Sequence, residues 1–81
     1  MLINFDIESA KLAVMVGSGK IVTRSGKEVE IVDWNTGHFP YSIVGDIIYS
    51  TYSELASWTA SGRYLGKDKD CEYDLFIEEW I

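Results

Sequence analysis

Eighty-one residues make one domain with a thin core, since a chain this short buries only roughly 60–65% of its unfolded surface. The formal charge is −6, from 13 acids against 7 bases, which opposes unassisted binding to duplex DNA or an anionic membrane and favours a basic protein partner. A single cysteine, Cys71, excludes an internal disulfide framework and an all-cysteine zinc site within one subunit.

The N-terminus lacks a basic segment followed by an apolar stretch, and the longest near-apolar run, residues 12–16, is far short of a membrane span. A cytoplasmic protein of one domain, residues 1–81, is the expectation. Aromatic residues are 14% of the chain, more than one thin core needs. Some are therefore expected at a surface, and homo-oligomerisation is one way to bury them.

In chain order, residues 1–5 are short and apolar and suit an edge strand. Asp6 is a natural helix N-cap and Glu8 falls in the first turn, where the helix dipole favours an anion. Ile7, Ala10 and Val14 share one helical face, and Gly17-Ser18-Gly19 ends the helix, giving a span of Ile7 to Val16. From Lys20 the apolar period becomes two. Residues 20–24 and 28–34 read as strands joined by a tight turn at Ser25-Gly26. Asn35-Thr36-Gly37 is a turn, and Pro40 opens or edges a third strand ending near Val44. Gly45-Asp46 reads as another turn and residues 47–52 as a fourth strand. Residues 53–56 read as a helical turn or a loop. Residues 57–59 and 63–65 flank Ala60-Ser61-Gly62 as a second hairpin, residues 66–72 form a charged loop, and residues 75–80 are a closing strand. The expected fold is mainly β (α+β): one short N-terminal helix packed on a bent antiparallel sheet or small open barrel of five to seven short strands.

The run Val22-Thr23-Arg24-Ser25-Gly26-Lys27-Glu28-Val29-Glu30-Ile31 resembles the opening hairpin of small uncharacterised accessory proteins of gut phages and prophages. Phe39-Pro40, the run Trp58-Thr59-Ala60-Ser61-Gly62-Arg63-Tyr64-Leu65 and Tyr73-Asp74-Leu75-Phe76 resemble later elements of the same proteins, in the same order. The resemblance spans residues 6–79 and departs by extra sequence at residues 47–55. It implies a phage or mobile-element origin. By analogy, such a protein acts in the host cell as an inhibitor of a host protein or as a sponge for a nucleotide-derived immune signal.

Cys71 and His38 are the one nucleophile–base pair on offer, but Cys71 lies between Asp70 and Glu72, whose charges oppose a thiolate, and no nucleophile motif surrounds it. Counted from Asp68, the alternating acids Asp68, Asp70, Glu72 and Asp74, with Glu79 at position twelve, follow the spacing of a calcium loop. The glycine required at position six is replaced by Tyr73 and flanking helices are missing. No phosphate loop, dinucleotide fingerprint or metal-protease helix is present. The expectation is a non-enzymatic protein with no cofactor and no metal.

Two binding surfaces remain. Arg24 and Arg63, the two arginines of the chain, each flank a glycine turn. If they converge, an anionic nucleotide-like molecule fits between them, stacked on Trp58, Tyr64 or Trp34. Against this, Trp58 and Tyr64 also suit a cross-strand packing pair. The second surface is the acidic stretch Asp68, Asp70, Glu72 and Asp74, which would mimic phosphates to a basic groove on a host protein; such a run is also the ordinary make-up of a solvated face. A third expectation is an assembly module that acts as a homo-oligomer.

Overall fold

The computed structural model describes residues 2–66 and 69–80. They form β1 (Leu2–Asn4), α1 (Ile7–Val16), β2 (Gly19–Thr23), β3 (Glu28–Asp33), β4 (Ile43–Ile48), β5 (Ser53–Trp58) and β6 (Leu75–Glu79). The six strands make one sheet in the order β1-β6-β2-β3-β4-β5, antiparallel at every pairing. β1 and β5 are its two edges, so the sheet is open and not a closed barrel.

The helix begins and ends where its caps dictate. The Asp6 carboxylate accepts the Ser9 amide and hydroxyl, both at 3.0 Å, and Gly17, at φ 73°, donates its amide to the Ala13 carbonyl. A positive φ of this kind strains any residue with a Cβ. The helix buries only Ala10 and Ala13 completely. Two such small side chains let it lie close on β2 and β6, while Leu12, Met15 and Val16 point to solvent. Because β6 lies between β1 and β2 and is antiparallel to both, β1 and β2 run in the same direction, joined by α1.

The core follows from the period-two pattern. Ile3, Ile77, Ile21, Val29 and Ile47 stand opposite one another in successive strands, a single apolar row crossing five of the six. Ile43 and Trp58 form the equivalent pair farther along β4 and β5. Ile21, Ile43, Ile47, Ile77 and Trp58 are all fully buried; burying an aliphatic side chain of this size contributes about 1.5–3 kcal/mol. The Trp58 indole donates to the Tyr73 carbonyl at 2.6 Å. Tyr64 meets it edge-on at 6.5 Å, and Tyr73 lies 5.2 Å from Tyr64. These aromatics fasten the long β5–β6 connection to the sheet.

Several expectations need correction. Gly45-Asp46 is not a turn but the middle of β4, paired to Ile31, Glu30, Ala56 and Leu55. The chain instead reverses at residues 49–52, where the Tyr49 amide bonds the Tyr52 carbonyl and the two rings stack at 4.7 Å. Pro40 lies in a loop before β4, residues 53–56 are strand rather than helical turn, and residues 63–65 form no strand. Tyrosine packing closes the 49–52 turn, so the usual glycine and proline signals pointed elsewhere.

Candidate functional site

The two glycine turns are the same structure built twice. Thr23-Arg24-Ser25-Gly26-Lys27 and Thr59-Ala60-Ser61-Gly62-Arg63 share the pattern Thr-x-Ser-Gly-base. In each, the threonine and serine hydroxyls are 3.0 Å apart, and the basic residue's amide donates to the threonine Oγ1 at 3.0 or 3.1 Å. The glycine amide donates to the threonine carbonyl, and the threonine amide donates to the carbonyl of the basic residue. The glycines sit at φ 91° and 80°. The motif carries arginine at its second position in one copy and its fifth in the other.

The two guanidinium groups meet on Asp74. Its side chain is 1% exposed and lies 3.2 Å from Arg24 Nη2 and 3.3 Å from Arg63 Nε. It also accepts the Tyr64 amide at 2.8 Å and the Cys71 amide at 3.0 Å. Burial pushes the Asp74 pKa up, but the two amides, the Arg24 hydrogen bond and the Arg63 charge more than offset this and hold it below its ordinary value. Arg24 Nε donates to the Cys71 carbonyl at 3.1 Å and its guanidinium lies 4.8 Å from the Phe76 ring centre. Arg63 Nη2 donates to the Lys69 carbonyl at 2.8 Å. Asp70 completes the cluster from outside: its side chain is 77% exposed, yet Oδ1 lies 2.8 Å from Arg63 Nη2 and 3.5 Å from Arg24 Nη2. A cleft of about 340 Å³ opens beside the group, with Asn4, Phe5 and Ser61 on its walls.

The arginines therefore converge, as the ligand reading requires, but two carboxylates of the same chain already stand against them. None of the three aromatic residues expected as a stacking platform lines the cleft beside the arginines. Trp58 is fully buried and presents no face. Tyr64 is half-buried against Trp58 and Tyr73, and Trp34 lies elsewhere, beneath the Lys11 ammonium at 5.8 Å from its ring centre.

The acidic C-terminal surface is likewise reduced. Asp74 points inward and Asp70 engages the arginines, which leaves Glu72 exposed; Asp68 lies outside the described residues. The strands carry acids as well: Glu28, Glu30 and Asp46 share the sheet face opposite the helix, with Glu30 directly across from Asp46. Lys20 meets Glu28 at 3.5 Å. Among the described residues, no three His, Cys, Asp or Glu side chains stand together as metal ligands, and no hydrogen bond or ion pair joins His38 to Cys71. No described helix is long and apolar enough to cross a membrane.

A further surface was not singled out in the sequence. The β3–β4 connection holds Phe39 with 94% of its surface exposed. Four local hydrogen bonds shape this loop. Asn35 donates to Asp33 Oδ1, Gly37 to Asn35 Oδ1 and His38 to Thr36 Oγ1, and the Thr36 amide closes the neck on the Ser42 carbonyl. Phe39 stands between two clefts. One, of about 390 Å³, includes Pro40, Tyr41, Ala60 and Gly66; the other, of about 350 Å³, includes Ile7, Trp34 and Ser42. The signal for this loop was the density of Asx and hydroxyl turn residues around Phe39-Pro40. No family model, curated protein or solved structure matches the chain.

Proposed function

We propose that this chain is a non-catalytic binding protein of the phage or mobile-element type, acting in the host cytoplasm by occupying an apolar pocket on a host protein. The observation that carries this reading is Phe39, a large apolar side chain fully presented to water at the tip of a hydrogen-bonded loop. A preorganised aromatic anchor loses little freedom on docking, and anchors of this kind dominate the energy of protein interfaces. Tyr41 and the clefts on either side of Phe39 supply a surrounding rim. The arginines and their acids are engaged with one another, so the working contact on this reading is apolar rather than ionic.

A photo-crosslinking residue at position 39 tests this in host lysate. The expected result is one dominant adduct, suppressed by excess unlabelled protein and not by the Phe39→Ser variant. A smear of adducts, or competition by Phe39→Ser equal to that of the parent protein, would count against it.

A further inference from the structure

Asp70 and Asp74 hold the same two arginines in different ways. Asp74 lies beneath them with both oxygens committed: Oδ1 accepts the Tyr64 amide, and Oδ2 accepts the Cys71 amide and Arg24. Asp70 approaches from solvent, and one oxygen, Oδ1, makes both of its contacts. Exposed ion pairs of this kind contribute little to stability, because water competes for both partners. Neither guanidinium donates a hydrogen bond from its Nη1 to the described residues. The inner carboxylate thus fixes the positions of two forks whose outer tines are occupied by a replaceable one.

We infer that Arg24 and Arg63 form an oxyanion site which Asp70 fills from within the chain, and that a phosphate monoester displaces it. Asp70 meets the two guanidinium groups through one oxygen, hydrogen-bonded to Arg63 and 3.5 Å from Arg24, whereas a phosphate group offers three to the same donors and pairs with arginine in bidentate fashion. With Asp70 swung away, two arginines face one buried carboxylate, leaving a local excess of positive charge on an otherwise acidic molecule. The adjoining cleft, about 340 Å³ with Asn4, Phe5 and Ser61 on its walls, is at the small end of the range for small-molecule sites. It suits a molecule of mononucleotide size, with its phosphate on the arginines and the remainder along Asn4 and Phe5. This cleft adjoins one of the Phe39 clefts at Ser61, but neither proposal depends on the other.

The test follows the arginine Nε–H signals by NMR during titration with inorganic phosphate, adenosine monophosphate and acetate. Asp70→Asn removes the internal competitor and is expected to tighten phosphate and nucleotide binding about threefold to fivefold, the most that a surface ion pair withholds. Glu72→Gln removes the same charge two residues away, and is expected to change little. Arg63→Lys, with its fold checked by circular dichroism, is expected to weaken binding several-fold; should it unfold, Arg24→Lys serves in its place. Equal tightening by Asp70→Asn and Glu72→Gln would show a net-charge effect and overturn the proposal. So would unmoved arginine signals at millimolar ligand. Acetate binding as tightly as phosphate, or phosphate binding without the nucleotide, would overturn the assignment to a phosphate monoester.

Discussion

The β3–β4 and β5–β6 connections are the two long loops of the molecule, and they are held in opposite ways. The β5–β6 connection turns one carboxylate inward: Asp74 is buried beneath two arginines, and Trp58, Tyr64 and Tyr73 pack behind it. The β3–β4 connection keeps its shape by short-range bonds of its own Asx and hydroxyl side chains and leaves Phe39 in water. A loop held by long-range contacts belongs to the cooperative fold, because its bonds vanish when the sheet opens. A loop held by local bonds carries an exposed apolar group at almost no cost to global stability, which frees that group for recognition.

Substitutions sharpen the contrast. Asp74→Ala removes the acceptor of the Arg24 guanidinium and of the Tyr64 and Cys71 amides, and the buried ion-pair partner of Arg63, and is expected to destabilise the protein by about 3–5 kcal/mol. By calorimetry that is a fall in Tm of roughly 12–40 °C for a domain of this size. The duplicated turn permits a second, internal comparison. At Gly62 an added Cβ would lie 2.7 Å from the Phe5 ring, whereas at Gly26 it would meet nothing within 4 Å. Both positions have positive φ. Gly62→Ala is therefore expected to cost about 1–3 kcal/mol beyond the strain that Gly26→Ala alone produces. Equal losses in urea melts would show that Phe5 yields freely.

The Asp74 carboxylate also leaves a signature in acid. Its folded pKa lies below the ordinary 3.8, so the native state favours the ionised form. The stability this contributes is full above the unfolded value and is lost as pH falls through the folded one. Acid titration is expected to show a loss confined to pH below about 4, and Asp74→Asn to flatten that limb; an unchanged limb would place the acid sensitivity elsewhere. The smallest effect belongs to the other loop: Phe39→Ser is expected to change stability by no more than about 0.5 kcal/mol. A larger loss would mean that the ring supports the fold and is not held out for a partner.

Local signals were legible where chemistry is local. Asp6 and Gly17 bound the helix at the residues expected, and Ser25-Gly26 sets the β2–β3 hairpin, because caps and tight turns are decided by the few residues that make them. The middle of the chain misled. Gly45 and Asp46 have turn composition, but their neighbours Ile43 and Ile47 are both fully buried in the core, and burial across the sheet outweighs the local preference of a glycine. The meeting of Arg24 and Arg63 was legible only as a condition, since it depends on which strands neighbour each other. The burial of Asp74 was hidden inside an alternating acidic run that reads as solvated surface. The repeated Thr-x-Ser-Gly-base pattern was present in the sequence, and it marks two turns of one geometry without placing them side by side.

The position of β6 has a consequence for how the chain is made. The sheet order places the last strand between the first two, so β1 and β2 touch β6 and not each other. On the ribosome, Ile3 and Ile21 wait with one side of their row empty until residues 75–79 have been synthesised. The nascent N-terminal half thus holds an α-helix and a hairpin without the strand that unites them, and folding awaits the closing insertion of β6. A chain stalled before Leu75 would offer its unpaired strands to chaperones, proteases or other chains, and pairing of β6 with both neighbours removes that exposure.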